Sequence, residues 1–300
     1  MKSVPGCIFI EILNFNEAIM VIDFHTHLFP RDMRANRDKY FEGEPGFQML
    51  YASEKAKLIG AEDMLRVMDD DGVDTSVVFG FPWKNPEYAR RHNDYVMEQV
   101  ARHPRRFKGL CCLNTCHEDA AKEVVRCIDG GMSGVGELAF YESGIVCEVR
   151  DSLAPIMATC REKDLPVMIH TNEPVGHMYP GKSANTLAQI YDIIKRFPDN
   201  KIVLAHWGGG IFFYGLLKKE VKEVLKNVWV DTAASPFLYD PAIYRHAIDI
   251  FGLEKILFGS DSPLIQPGRY IQELASSGLT RQEIEAICGK NARALIHFHI

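Results

Sequence analysis

The sequence predicts an α/β protein, a (β/α)8 TIM barrel with extra C-terminal helices. Three observations lead there. Short runs rich in Val, Ile, Leu and Phe recur along the chain from Met20 onward. Longer segments with apolar residues at helical spacing separate them. Ligand-type side chains then fall at the carboxyl ends of the apolar runs, the end at which barrels of parallel strands keep their reacting groups. The strand candidates are continuously apolar rather than alternating, which fits a sheet covered on both faces.

In chain order the strands read 20–25 (MVIDFH), 74–80 (DTSVVFG), 107–112 (FKGLCC), 134–138 (GVGEL), 166–170 (PVMIH), 201–206 (KIVLAH), 228–232 (VWVDT) and 255–260 (KILFGS). Helices are expected at 62–71, where Met64, Leu65 and Met68 share a face, and at 86–103, where Tyr88, Tyr95, Val96 and Val100 fall near helical spacing. Segments 118–129, 149–163, 183–197, 211–226, 240–251 and 268–277 read the same way. The tail 280–296 adds one or two helices, opened by a capping box of Thr280 and Glu283. Segment 28–60, rich in Pro, Gly, Arg and aromatics, reads as a long loop over the active site. Residues 20–300 show no composition break and are expected to be one domain. Residues 1–19 read as a peripheral extension or an edge hairpin, with Met20 as an alternative start.

Composition narrows the function. Apolar residues make up 47% of the 300-residue chain and charged residues 25%, ordinary for a globular protein. The net charge of −6 gives no reason to expect nucleic acid or an anionic membrane as partner. No apolar run reaches the ~18 residues of a membrane span. The eight cysteines are scattered without a CxxC pair, which fits free thiols in the cytoplasm.

The chemistry starts at His25-Thr26-His27, because residues two apart on a strand point to the same side and two imidazoles can grip one divalent ion. His170, His206 and Asp261 follow at later strand ends, and Glu137 closes the fourth strand. His25, His27, His170, Asp261 and Glu137 are the expected metal ligands, with zinc the simplest ion. Asp261 and His206 are the expected catalytic groups: Asp261 to take a proton from metal-bound water, His206 to orient or protonate substrate. Gly208, Gly209 and Gly210 would let backbone approach a ligand closely. Arg31, Trp83, Asn172 and His177 are expected to contact a small-molecule substrate, with Asn114 and Tyr141 on the same side. Arg31, Arg34 and Arg37 could bind a carboxylate. His92, His103, His246, His297 and His299 read as surface residues, and His117 as a helix start.

The ordered set Asp23-Phe24-His25-Thr26-His27, Gly134-Val135-Gly136-Glu137, Ile169-His170, Ala205-His206-Trp207-Gly208-Gly209 and Phe258-Gly259-Ser260-Asp261-Ser262-Pro263 resembles the amidohydrolase superfamily. The likeness runs over nearly all of 20–300 and is nearest the amidohydrolase-related branch that includes aminocarboxymuconate-semialdehyde decarboxylase. It implies a metal-dependent barrel with His25, His27, His170 and Asp261 as ligands, and a catalytic or second-metal role for His206. Glu137 stands where other branches carry a carbamylated lysine, so one or two metals per chain are both compatible. A homodimer is common in such families. Hydrolysis of an ester, lactone or amide by metal-activated water is the first expectation. Non-oxidative decarboxylation or hydration of an unsaturated or aromatic carboxylic acid is the alternative.

Overall fold

The computed structural model describes residues 19–296; the expected extension 1–19, apart from Ile19, and His297 and His299 lie outside the described residues. All eight expected strands form: β1 Ile22–His27, β2 Thr75–Phe79, β3 Phe107–Gly109, β4 Val135–Leu138, β5 Val167–Ile169, β6 Ile202–Leu204, β7 Val228–Asp231 and β8 Ile256–Leu257. They pair in parallel in the order β1-β2-β3 and β4-β5-β6-β7-β8. Two seams close these arcs into a barrel. At one, the Cys111 amide donates to the Gly134 carbonyl (2.9 Å) and the Gly136 amide to the Cys111 carbonyl (2.8 Å). At the other, the Phe24 amide donates to Phe258 (2.7 Å), the His27 amide to Ser262 (2.8 Å) and the Asp261 amide to His25 (2.9 Å).

Apolar side chains sort into two layers, as strands buried on both faces require. Ile22, Phe24, Val77, Phe79, Leu110, Cys112, Met168, Val203, Ala205 and Leu257 fill the barrel. Val78, Val135, Val167, Ile169, Leu204, Val228 and Val230 pack outward under the helices. Residues 286–296 plug the bottom: Ala292, Leu295 and Ile296 join the inner layer, and Gly289 lies so near the Met20 carbonyl that a Cβ there would stand 2.3 Å from it.

Helices occupy most of the expected segments, among them Ala61–Asp71, Pro86–Arg102, Cys147–Glu162, Leu187–Arg196 and Pro267–Ser276. Two expectations need correction. Segment 28–60 carries helical pieces at Arg31–Ala35, Arg37–Tyr40 and Pro45–Tyr51, because Phe29, Met33, Tyr40 and Phe47 bury themselves against the barrel. Segment 211–226 is not one α-helix. A 3₁₀ segment spans His206–Leu216, its first five residues, His206 to Gly210, at positive φ, and a short α-helix follows at Lys219–Val224. His92 is also corrected: it is buried, its Nε2 bonded to the Leu28 carbonyl (2.5 Å) while its Nδ1 accepts from Trp83 Nε1 (2.9 Å). Among the described residues no helix is long and apolar enough to cross a membrane, and the described cysteines are unbridged.

Asp23 braces the second seam. Its Oδ1 accepts from the Ser260 amide (2.9 Å), its Oδ2 from the Ser260 hydroxyl, and the carboxyl is fully buried. Asp23→Ala removes these acceptors and strands the Ser260 donors, at a cost of about 1–3 kcal/mol. The expected outcome is a lower midpoint in thermal unfolding; an unchanged midpoint contradicts the bracing role.

Candidate metal centre and active site

The site lies at the carboxyl ends of the strands, and backbone irregularities aim its residues. A register shift between Asp23 and Thr26 interrupts β1. Phe24 and His25 both lie within it: Phe24 packs in the inner layer, and His25 packs on inner-layer Phe79, ring centroids 5.2 Å apart. Bulges next to active sites commonly re-aim side chains in this way. A second shift, between Val135 and Leu138, encloses Gly136 and Glu137. Gly136 has φ +138°, and a Cβ there would stand 2.7 Å from the Met168 carbonyl oxygen. Only glycine fits a strand with that dihedral and that neighbour. His206 (φ 55°), Ala234 (φ 55°) and Asp261 (φ 61°) all sit in the left-handed region, strain of about 1–3 kcal/mol each that typically gathers at functional sites.

These elements bring His25, His27, Glu137, His170, His206 and Asp261 into one cluster. His25 Nε2 lies 3.7 Å from Glu137 Oε2 and 3.6 Å from Asp261 Oδ1. His27 Nε2 lies 3.3 Å from Asp261 Oδ1 and 4.0 Å from Glu137 Oε2. His206 Nε2 is 3.6 Å from Glu137 Oε1, and His170 Nδ1 is 2.9 Å from that oxygen.

Each histidine is anchored from behind. His25 Nδ1 meets Asp231 Oδ2 at 2.9 Å. His27 Nδ1 meets the Gly80 carbonyl at 3.3 Å, His170 Nε2 the Gly181 carbonyl at 2.9 Å and His206 Nδ1 the Ala233 carbonyl at 3.0 Å. An oxygen of this kind needs an N–H, so the tautomer of each neutral ring follows, and the other nitrogen presents a lone pair inward. His170 Nδ1 is already hydrogen-bonded to Glu137 Oε1 at 2.9 Å; the lone pairs of neutral His25, His27 and His206 converge with the two carboxylates. Groups that only accept cannot satisfy one another. His25 Nε2 is in fact a buried nitrogen with no hydrogen-bond partner among the described residues. A divalent cation completes such an arrangement, and metal-bound histidines are typically held by an outer acceptor of this kind. The residues therefore fit a metal ion.

Electrostatics point the same way. Burial opposes a charged His25, yet Glu137, Asp231 and Asp261 push it up to about 10. Burial opposes a charged Glu137 too, but His25 and His170 hold it well below the usual carboxylate range. Asp261 is lowered despite burial by His27, His25 and His206. His206 is raised despite burial, chiefly by Glu137 and Asp261. The pocket is built to hold positive charge, proton or metal.

Two overlapping triplets, His25–His27–Asp261 and His25–Glu137–His206, each bring their ligand atoms within 4.8 Å of one another. Both draw on His25, and one imidazole lone pair binds one ion. His170 enters through Glu137. Its loop is zipped shut: Asn172 Oδ1 accepts from the Ser183 amide (2.8 Å) and hydroxyl (2.7 Å), and Glu173 takes hydrogen bonds from Lys182 and Tyr179 at 2.7 Å each.

The cluster opens into a cavity of about 600 Å³ whose lining includes His27, Glu137, His170, His206 and Asp261. Its walls are largely aromatic and aliphatic, with Leu50, Tyr51, Phe81, Tyr141, Phe237 and Leu264. Of the expected substrate contacts, His177 lines it. Arg31 is exposed and stands outside the lining. Trp83 is buried behind Phe81, ring centroids 5.1 Å apart, and Asn172 is engaged by Ser183. Arg34 pairs with Asp63 (3.1 Å). Arg37 donates to the Tyr51, Ser53 and Ala56 carbonyls (3.3, 3.3 and 2.9 Å), pinning the loop that carries a cavity wall. Asp231 and Tyr51 were not among the expected residues. The sequence signal for Asp231 is an acid closing the apolar run Val-Trp-Val, a position that burial makes costly without a partner.

A barrel with a histidine and carboxylate cluster at its strand ends defines a metal-dependent enzyme class. A family profile described as Amidohydrolase matches residues 22–298, and the chain belongs to this family, within the amidohydrolase superfamily of enzymes. The 2-amino-3-carboxymuconate-6-semialdehyde decarboxylase of Dictyostelium discoideum is 26% identical over 87% of this chain and 88% of its own length. The crystal structure of 5-carboxyvanillate decarboxylase from Sphingomonas paucimobilis superposes with a TM-score of 0.76 at 19% identity, covering 94% of this chain and 100% of that one. A dihydroxybenzoic acid decarboxylase from a Polaromonas species, solved with manganese and the inhibitor 2-nitroresorcinol, gives a TM-score of 0.71 at 20% identity, covering 93% and 97%. These relatives overturn the expectation of ester, lactone or amide hydrolysis. The reason it arose is physical: the same ion and histidines serve hydrolysis and decarboxylation alike. Manganese in a neighbour also removes the preference for zinc, since histidine and carboxylate ligands suit either ion.

Asp231→Asn keeps the oxygen that accepts from the His206 and Ala233 amides (2.8 and 3.0 Å) but no longer demands the N–H of His25. Divalent-ion affinity measured by chelator competition is expected to fall about 10–100-fold with the fold retained. Unaltered affinity removes Asp231 as the anchor.

Proposed function

We propose that this protein is a metal-dependent, non-oxidative decarboxylase of a small aromatic or unsaturated carboxylic acid, with one divalent ion per chain. The observation that carries the reading is the relative named as a decarboxylase that aligns over 87% of this chain. A cavity with flat aromatic walls opening directly onto the charged cluster supports it.

His25, His27, His170 and Asp261 would hold the ion, with Glu137 beside them, and manganese or zinc suits the set. When bound, the ion supplies positive charge that positions the substrate's oxygens and stabilises negative charge developing on it. The reaction breaks the bond between the carboxylate carbon and the ring or chain. Carbon dioxide leaves, the electron pair stays on the remaining carbon, and one proton replaces the lost group. His206 is suited to deliver that proton. Its Nδ1 is fixed on the Ala233 carbonyl, and Glu137 and Asp261 favour its charged form. Phe81, Leu50 and Leu264 keep the ring-side surface apolar. A neutral product tolerates that surface better than a carboxylate does.

The test uses the manganese-loaded protein. Elemental analysis is expected to give near one ion per chain in the wild type and a large loss in His170→Ala. Carbon dioxide release from hydroxybenzoates and from conjugated unsaturated acids is expected to fall about 10²–10⁴-fold in His206→Asn with the ion retained. Acid release from esters or lactones with no carbon dioxide from any acid sinks the proposal.

A further inference from the structure

One buried titratable side chain belongs neither to the cluster nor to its direct anchors. His92 lies on the buried face of the helix Pro86–Arg102. Its Nε2 donates to the Leu28 carbonyl at 2.5 Å, and its Nδ1 accepts from the Trp83 indole N–H at 2.9 Å. The two bonds fix one arrangement. An indole nitrogen only donates, so Nδ1 must keep its lone pair, and the proton stands on Nε2. Burial pushes the ring down to about 4, which favours the same neutral form. Trp83, buried behind the cavity wall, thus acts on His92 and not on a substrate.

Both ends of this arrangement lead to His27. Leu28 is the next residue, and it is tied twice: its amide donates to the Phe79 carbonyl at 3.0 Å, and its carbonyl accepts from His92. Gly80 follows Phe79, and its carbonyl is the acceptor that orients His27 Nδ1. The His92 ring lies directly against Gly80: a Cβ there would stand 2.7 Å from both Cγ and Nδ1 of His92. Only glycine leaves room for the ring. Phe29 packs on the same ring, centroids 4.9 Å apart. One imidazole therefore touches both the residue after His27 and the residue that anchors it. That anchor needs support. At 3.3 Å it is the longest of the four that hold the cluster histidines, and the His27 side chain, 15% exposed, is the least buried of the four.

We infer that His92, through its hydrogen bond to Leu28 and its contact with Gly80, is a positioning residue that sets the aim of His27, and that Trp83 holds His92 in the tautomer this requires. The inference rests on the reading of His27 as a metal ligand and is independent of the reaction catalysed. A His27 ring freed from the Gly80 carbonyl no longer has its Nε2 lone pair fixed toward the cluster.

The experiment takes two readings on the full chain, wild type beside His92→Leu, His92→Gln and Trp83→Phe. One is the tautomer of His27 in metal-free protein carrying isotope-labelled histidine, from two-bond nitrogen–proton correlations at mildly alkaline pH. The other is manganese affinity by chelator competition. In the wild type, His27 is expected to carry its proton on Nδ1. His92→Leu is expected to populate both tautomers and to weaken manganese binding about tenfold, the lower end of what outer partners of metal-bound histidines contribute. Trp83→Phe keeps an aromatic ring and should move both readings the same way, which carries the test where His92→Leu does not fold. His92→Gln, whose amide can donate to Leu28 and accept from Trp83, should recover most of the loss. A lower thermal midpoint with the His27 tautomer and the affinity unchanged makes His92 a packing residue only and overturns the inference. Equal losses in His92→Gln and His92→Leu overturn it too. Mixed tautomers with unchanged affinity leave the positioning role standing and remove His27 from the ligands.

Discussion

The site depends on a constraint imposed from behind it. Asp231 and the carbonyls of Gly80, Gly181 and Ala233 each take the one N–H that a neutral imidazole owns. What remains on the inner side can only accept. Glu137 and Asp261 add further acceptors to the same small volume, and no rearrangement of protons among neutral rings satisfies them all. The barrel supplies the rigidity that keeps this mismatch in place. The Asp23–Ser260 brace fixes the seam beside β1, and the zipped β5 loop fixes the Gly181 carbonyl on which His170 depends. Affinity for a cation is thus a property of the outer ring of acceptors as much as of the inner ligands.

Much of this was legible in the sequence, for a physical reason. A parallel strand inside a barrel is buried on both faces, so it reads as a continuous apolar run, and a charged or polar ligand can appear only where the run stops. His25, His27, Glu137, His170, His206 and Asp261 were found by that rule, and the structure gathers all six. The rule also marks Asp231, which closes the run before Thr232. An isolated acid at a strand end carries the same signature as a helix cap, so the rule alone does not give its role. Tyr51 was hidden differently. Its segment is a short helix within what reads as an irregular loop, and nothing local shows that Phe29, Phe47 and Phe81 would turn that helix toward the site.

Other misreadings share a cause. His206 to Gly210 adopt positive φ in succession, and the apolar residues after them end that 3₁₀ segment instead of opening one long α-helix. The arginines of 31–37 looked like a carboxylate grip because charge in a mouth loop suggests a ligand. Arg34 and Arg37 instead hold the loop itself, through Asp63 and three carbonyls. The choice between splitting an ester and releasing carbon dioxide could not be read from ligand types at all, since both need the same ion and the same histidine. Similarity to proteins named as decarboxylases is what turns the reading away from hydrolysis.

The plug formed by residues 286–296 has a consequence for traffic. It fills the barrel from below, while the cavity lies at the carboxyl ends of the strands, under the loops and short helices of that face. Among the described residues the cavity has its mouth on that face, rimmed by the exposed Val175, Phe237 and Leu264. With the base filled, what enters at that mouth also leaves on that side. A small, neutral, weakly held fragment can slip past a larger one still in place, whereas the larger one cannot be pushed out from behind. The order in which molecules leave is then a matter of size, and a bulky product lingering at the mouth blocks the next arrival.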